Sequence, residues 1–182
     1  MEAITKLEVV SVPASLIRDR IDEFVELLRD SVDGGSSVNF LPPLDEGLNR
    51  RFWDRVGGEV ERGERVVVCG IVDGRVVGCA HLAMAGQPNG AHRAEVQKVL
   101  VLTSMRRRGI ARVLMAAIED EARKAGRWLL VLDTELGSGA EQMYPLLGYI
   151  RAGEIPVFAR AANGEFISTV LFYKLLNHSF GP

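Results

Sequence analysis

The stretch from Glu95 to Leu132 limits the possible folds more than any other part of the chain. Val96 to Val101 is apolar and β-branched enough for a buried strand, and Thr103 to Arg107 breaks the pattern before a helical period begins. From there Ile110, Val113, Leu114, Ala117 and Ile118 recur at three- and four-residue spacing. Arg112, Glu119, Asp120 and Arg123 fall on the opposite face, so one stripe should be buried and the other wet. Gly126 is placed to end the helix in a left-handed cap, and Arg123 and Lys124 suit the negative end of its dipole. Trp128 to Leu132 is then a continuous apolar run, as expected for a strand covered on both faces. A strand, a crossover helix and a second strand make a parallel pair with a right-handed connection.

The turn inside this unit carries chemistry. Arg106, Arg107 and Arg108 precede Gly109, Ile110 and Ala111, with Arg112 following, so a cation-rich loop of small residues sits where a helix begins. The first N–H groups of a helix lack internal partners and carry partial positive charge, which suits a phosphate or diphosphate. Gly109 and Ala111 would let such a ligand approach the backbone. A solvated basic turn is the competing reading, and the strand before and helix after it weigh against that.

Arg106-x-x-Gly109-x-Ala111 resembles the acyl-CoA signature of the GNAT superfamily of N-acetyltransferases, between that family's fourth strand and third helix. Three further blocks, Pro88-Asn89-Gly90, Arg93 to Lys98 and Leu132-Asp133-Thr134-Glu135, are similar to the tabtoxin-resistance acetyltransferases. So is the front segment Gly34-Gly35-Ser36-Ser37-Val38. The resemblance implies a GNAT fold: α/β, a mixed and mostly antiparallel sheet of six to seven strands with a central parallel pair, and helices on both faces.

The totals restrict what such a chain can do. A chain of 182 residues is expected to make one domain, residues 1–182, burying roughly 70% of its unfolded surface. A formal net charge of -2 and a pI of about 6.0 give no global attraction to nucleic acid or to an anionic membrane. No apolar run approaches the roughly 18 residues of a spanning helix, and the start lacks the pattern of a secretory signal, so a cytoplasmic location is expected. Cys69 and Cys79 fall on a hairpin turning at Asp73-Gly74. A two-residue loop there pairs Cys69 with Gly78 and puts Cys79 on the other face, so no disulfide is expected, and a structural metal site has little support.

The remaining elements follow from periodicity and punctuation. Lys6 to Val12 reads as a first strand stopped by Pro13. Ser15 would cap a helix with Ile17, Ile21, Phe24, Val25 and Leu28 on one stripe. A second helix starts near Asp45, with Leu48, Phe52, Val56 and Val60 on one face; Gly57-Gly58 should bend it or end it early. Arg65 to Val72 and Arg75 to Met84 are the hairpin strands. Ala140 to Leu147 is a short helix with Pro145 inside it. Tyr149 to Ala159 and Phe166 to Leu175 are two antiparallel strands joined around Asn163-Gly164.

Glu95 and Asp133 are the candidate acid–base residues. Asp133 stands at the carboxyl end of its strand, where open α/β sheets bind ligands, and Glu95 enters the adjoining strand, so both carboxylates would face one cavity. A substrate amine is mostly protonated at neutral pH, and a half-buried carboxylate can take its proton directly or through a water. Solvated carboxylate, salt bridge or helix cap are the bland alternatives. The resemblance assigns acid–base or acceptor-binding roles to both positions without deciding which is the base. It implies that Tyr144 protonates the departing thiolate, against the alternative of a core aromatic. It further implies that acetyl-CoA is the co-substrate, held by backbone groups of Val99, Leu100 and Val101 and by the turn from Arg106 to Arg112. Gly137 stands where the superfamily often has Asn, and Ser138 would replace that contact. Asn39 and Phe40 would touch the acceptor.

The resemblance implies transfer to a primary amine of a small molecule, as in inactivation of a toxin or antibiotic, and the transfer would be direct, since neither cysteine has a histidine partner in view. Acetylation of protein or peptide amines and a non-catalytic acyl-CoA-binding regulatory domain are the alternatives. Nucleic-acid binding ranks last. The state is monomer or homodimer, and Asp33 and His81, in regions where the tabtoxin-resistance relatives differ, would redirect acceptor choice.

Overall fold

The computed structural model describes residues 6–36 and 38–176; Ser37 of the front loop lies outside them. Seven strands, β1 (Leu7–Ser11), β2 (Arg65–Val72), β3 (Arg75–Met84), β4 (Arg93–Val101), β5 (Leu129–Glu135), β6 (Ile150–Arg160) and β7 (Phe166–Leu175), form one sheet. Their order is β1-β2-β3-β4-β5-β7-β6. Only β4 and β5 run parallel, joined by α4 (Ile110–Lys124) as the crossover. Helices α1 (Ala14–Asp19), α2 (Ile21–Asp33) and α3 (Glu46–Glu61) precede β2, and α5 (Gly139–Leu146) follows β5.

Helices cover both faces. Gly78 and His81 lie three residues apart on β3 and so face opposite sides. On the Gly78 side a Cβ would come within 2.7 Å of the Leu100 carbonyl oxygen and 3.2 Å of Leu114 on α4, so glycine is what permits the close approach there. On the His81 side the imidazole lies 5.4 Å from the Trp53 ring and 6.2 Å from the Phe52 ring of α3. The mixed, mostly antiparallel sheet with one central parallel pair is the α/β architecture of the GNAT fold.

The crossover helix buries Ile110, Leu114, Met115, Ile118 and Ala122, and Gly126 adopts φ 69° just past its end. Val113, read into the buried stripe, is 43% exposed, because the packed row follows the four-residue spacing from Ile110. Glu119, read as wet, is buried. Lys174 of β7 places its Nζ 2.7 Å from both Glu119 carboxylate oxygens and 2.7 Å from the Leu147 carbonyl. That partner lies 55 residues away, so no local pattern announces it.

Three other expectations are corrected. The β2–β3 ladder starts as read, with Val72 opposite Arg75, but its register shifts between Gly70 and Ile71. Cys69 therefore faces Cys79, not Gly78; the two are cross-strand neighbours with free thiols. The helix read from Ser15 is two helices separated at Arg20 (ψ 28°), with Pro13 at the first N-cap. Finally, α3 is capped by Asp45, which accepts from the Leu48 N–H at 2.7 Å, and it runs straight through Gly57-Gly58 to Glu61. Two interior glycines cost about 2 kcal/mol, less than the roughly 4.5–9 kcal/mol that Phe52, Trp53 and Val56 together gain on burial. Leu48 is exposed while Asn49 is buried, donating from Nδ2 to the Val25 carbonyl at 2.8 Å.

Candidate active site

The site begins where the parallel pair comes apart. Arg93, Ala94 and Glu95 pair with Leu129, Leu130 and Val131, and there the β4–β5 ladder stops, although β4 stays paired with β3 as far as Val101. Between Cys79 and His81 the β3–β4 register shifts, and Lys98 in the bulge has φ 49°. A bulge bends its strand and increases local twist. Val96 to Val101 and Leu132 to Glu135 thus form the two sides of an opening in the sheet.

At the far end of this opening stands the basic turn. Gly109 is in the left-handed region (φ 81°) directly before α4, and Arg107 is there too (φ 60°). Arg106, Arg107, Arg108 and Arg112 are exposed. No side chain among the described residues caps this helix start, and a Cβ on Gly109 would meet no atom within 4 Å. The first amides of α4 therefore face open space among guanidiniums, an arrangement that fits a diphosphate. The turn is pinned from both sides. Asp30 of α2 accepts from the Thr103 N–H at 2.7 Å and from its hydroxyl at 3.0 Å, and Arg106 Nε donates to the Val101 carbonyl at 3.2 Å. That last bond engages the carbonyl of one residue expected to face the cofactor arm; Leu100, paired with Cys79 and with its carbonyl oxygen against Gly78, turns its backbone groups to β3, which leaves Val99 and the Val101 N–H for the arm.

Asp133 is exposed at the end of β5, and its Oδ2 accepts from the Thr169 hydroxyl of β7 at 2.7 Å. Tyr144 on α5 is buried between Tyr149 and Phe172, with ring centroids 5.7 Å away in each case. Burial, and secondarily the Asp133 carboxylate, push its hydroxyl from an ordinary pKa of 10.0 up to about 12, so it keeps its proton at neutral pH. Ser138 Oγ caps α5, accepting from the Glu141 N–H at 3.2 Å, and lies 3.2 Å from Thr134 Oγ1. Any contact to a cofactor would be a second use of a hydroxyl already built into the cap.

Glu95 is half-buried and lines a small cavity of about 250 Å³ with Ala83, Met84 and Val131. Asp133 is not part of that cavity. Glu95 pairs with Val131, two residues before Asp133, so both carboxylates point to the α3 side, offset by roughly 7 Å along the strand. What they share is Lys98, which the sequence reading passes over. Its Nζ lies 5.9 Å from the centre of the Phe52 ring. Burial, then repulsion from Arg65, lower its pKa, while Asp133, Cys79 and Glu95 oppose the shift. Strict strand alternation would send Lys98 to the α4 side with Val96; the bulge turns it to the α3 side. A lysine at an apolar-face position was the available signal.

Beneath Phe52 lies a buried polar chain. Arg65 donates to Glu59 at 2.5 Å and to Gln97 at 3.0 Å, His81 Nδ1 is 3.5 Å from Arg65, and His81 Nε2 is 3.7 Å from Cys79 Sγ. Cys79 therefore does have a histidine neighbour. Burial nevertheless holds the His81 pKa well below its usual value and pushes both thiols up, Cys69 to about 12, so neither cysteine is a thiolate at neutral pH. A second cavity, of about 470 Å³, lies between the loop before α3 and the end of β6. Asn39, Phe40, Leu44, Leu48 and Arg160 are among its walls. Phe40 meets Phe52 edge-on at 5.4 Å, so this cavity backs onto the ring that Lys98 covers.

Comparison with known proteins agrees with this geometry. The sequence profile described as "Acetyltransferase (GNAT) family" matches residues 25–149, well over half of the chain. An uncharacterized N-acetyltransferase encoded in the hisH-hisA intergenic region of Azospirillum brasilense is 32% identical over 106 residues. That stretch is 57% of this chain and 61% of the relative. Among solved structures, an N-acetyltransferase from Staphylococcus aureus superposes with a TM-score of 0.79 at 16% identity, covering 95% of this chain and 100% of that one. A ribosomal-protein-alanine N-acetyltransferase from Brucella melitensis gives 0.76 at 20% identity, covering 93% and 99%. A Salmonella typhimurium protein solved with its cofactor acetyl-CoA gives 0.78 at 16% identity, covering 98% of each chain. At such identities the likeness to these structures is one of fold.

Proposed function

Because the chain belongs to the acetyltransferase (GNAT) family, we propose that it transfers an acetyl group from acetyl-CoA directly to a primary amine of a small molecule, one resembling the amino-acid-like toxins or antibiotics. The observation that carries this reading is the parting of β4 and β5 just before an uncapped helix start ringed by exposed arginines. Acetyl-CoA supplies an activated thioester. The amides of Gly109 to Ala111, with Arg107, Arg108 and Arg112, would hold its diphosphate, and Val99 and the Val101 N–H would present backbone groups to its arm.

The chain's own residues divide the proton work. Asp133, held in orientation by the Thr169 hydroxyl, takes the proton of the incoming ammonium, with Glu95 on the same face as the alternative base. Tyr144, kept protonated by burial, gives its proton to the departing sulfur. The thiols take no part, since burial holds both in the neutral form. Incubation with acetyl-CoA and a panel of small primary amines tests the reading, with release of free CoA and the mass of the acetylated amine as readouts. Acetylation of at least one small amine is expected. Acetyl-CoA binding without transfer would instead indicate a non-catalytic acyl-CoA-binding domain, and transfer confined to peptides a protein acetyltransferase.

A further inference from the structure

We propose that Lys98 selects the acceptor: the amine acetylated here also bears a carboxylate, which the Lys98 ammonium holds while the amine faces Asp133 and Glu95. This rests on the acetyl-transfer reading above and adds the substrate class. Three features of the geometry support it. The backbone at Lys98 sits in the left-handed region, a conformation that L side chains disfavour and that turns its side chain from the α4 side to the α3 side. There its Nζ stands over Phe52, a ring that also meets Phe40, a wall of the larger cavity. Among the described residues the Lys98 ammonium makes no hydrogen bond or ion pair, whereas Arg65, the other cation of this region, is engaged by Glu59 and Gln97.

The charges near Lys98 define what would fit. Burial and the Arg65 charge disfavour its ammonium, and Asp133 and Glu95 favour it without pairing to it. An acceptor bearing only an ammonium would gain from the two carboxylates and lose against Lys98. A dianionic phosphate would be repelled by both carboxylates. A zwitterion, with one cationic and one monoanionic end, satisfies all three residues. The larger cavity, which meets this cluster through the Phe40–Phe52 contact, has mainly apolar walls, with Phe40, Leu44 and Leu48 available for a side chain beside Asp45 and Arg160. The substrate class is therefore an amino acid or a close analogue.

The test compares the common α-amino acids with their carboxamides, measuring kcat and KM for the wild type, Lys98→Met and Lys98→Arg. The carboxamides have the less basic amines, more often free at neutral pH, so chemistry alone would favour them. The wild type is expected to prefer at least one acid over its amide by tenfold or more in kcat/KM. Lys98→Met should raise KM for that acid by roughly 10- to 100-fold, the range for a hydrogen bond between charged groups, with kcat and the amide's constants little changed. Lys98→Arg should restore part of the preference. Equal use of acids and amides by the wild type overturns the proposal and leaves acetyl transfer standing. So does a Lys98→Met variant that loses both substrates in proportion, which would mark a role in folding or cofactor binding. If no amine of any kind is acetylated, both readings fall together.

Discussion

Replacing Gly109 by alanine separates the cost of backbone strain from the cost of blocking the proposed diphosphate site. Gly109 has φ 81°, where an L-residue costs roughly 1–2 kcal/mol. Its added methyl would touch no atom within 4 Å, so no clash term enters. For a chain of this length 1 kcal/mol shifts Tm by about 2–4 °C, so Gly109→Ala alone should lower it by roughly 2–8 °C. Gly74 of the β2–β3 turn is the control, with φ 77° and likewise nothing within 4 Å; Gly74→Ala should lower Tm by a similar amount. The two variants differ in what the methyl faces. On Gly109 it stands where the first amides of α4 meet open space. If it forces a bound diphosphate off one amide, the loss is about 1.5–3 kcal/mol, or roughly 10- to 100-fold in Kd. At acetyl-CoA near 100 times the wild-type Kd, ligand binding stabilises the wild type by about 2.7 kcal/mol. Gly74→Ala should keep that thermal shift, and Gly109→Ala should lose about half of it or more. Differential scanning fluorimetry with and without acetyl-CoA, calibrated by calorimetry, reads both quantities. An equal acetyl-CoA shift in the two variants would refute the placement of the diphosphate at Gly109.

Asp133→Asn retains an acceptor for the Thr169 hydroxyl but not the base, so kcat should fall by about 10²- to 10⁴-fold, with acetyl-CoA affinity and Tm near wild type; steady-state kinetics and calorimetry check this. Glu119→Ala leaves the half-buried Lys174 ammonium with the Leu147 carbonyl alone, and losing a hydrogen bond between charged groups costs about 1.5–3 kcal/mol. Urea unfolding should show that loss, and the paired change Glu119→Leu with Lys174→Met should recover most of it. The raised pKa of Tyr144 fixes a sign. The folded chain keeps this proton between pH 10 and about 12 while the unfolded chain releases it, so the stability is present in full below pH 10 and declines as pH rises through that window. Tyr144→Phe should flatten the alkaline decline measured by circular dichroism, leaving the part due to Tyr149, whose pKa burial also raises.

The unit from β4 through α4 to β5 was legible because its signals are local and agree: an apolar run, a breaker, a helical period, a glycine cap and a second apolar run. The turn at Asp73-Gly74 was legible for the same reason. The ladder behind it was not, because the register shift at Gly70 depends on how two apolar strands pack and leaves no mark in residue type; hence the misread partner of Cys69. Glu119 was read as a surface charge, since only the tertiary fold brings Lys174 of β7 onto α4. At the site, Asp133, Glu95, Tyr144 and the arginine turn could be named from motif and position. Lys98 and Thr169 could not. The first is turned toward the site by a bulge with a left-handed lysine, and the second reaches Asp133 across a strand pairing between β5 and β7 that skips β6. Gly57-Gly58 shows the reverse case, where a weak local propensity was overruled by the burial of Phe52, Trp53 and Val56.

Where the nucleotide binds decides whether the turn before α4 is the cofactor site. A crystal structure of the protein with acetyl-CoA should show the diphosphate within hydrogen-bonding distance of the amides of Gly109 to Ala111 and the arm threaded between β4 and β5. A nucleotide bound anywhere else, with that opening filled by side chains or closed by strand pairing, would contradict it.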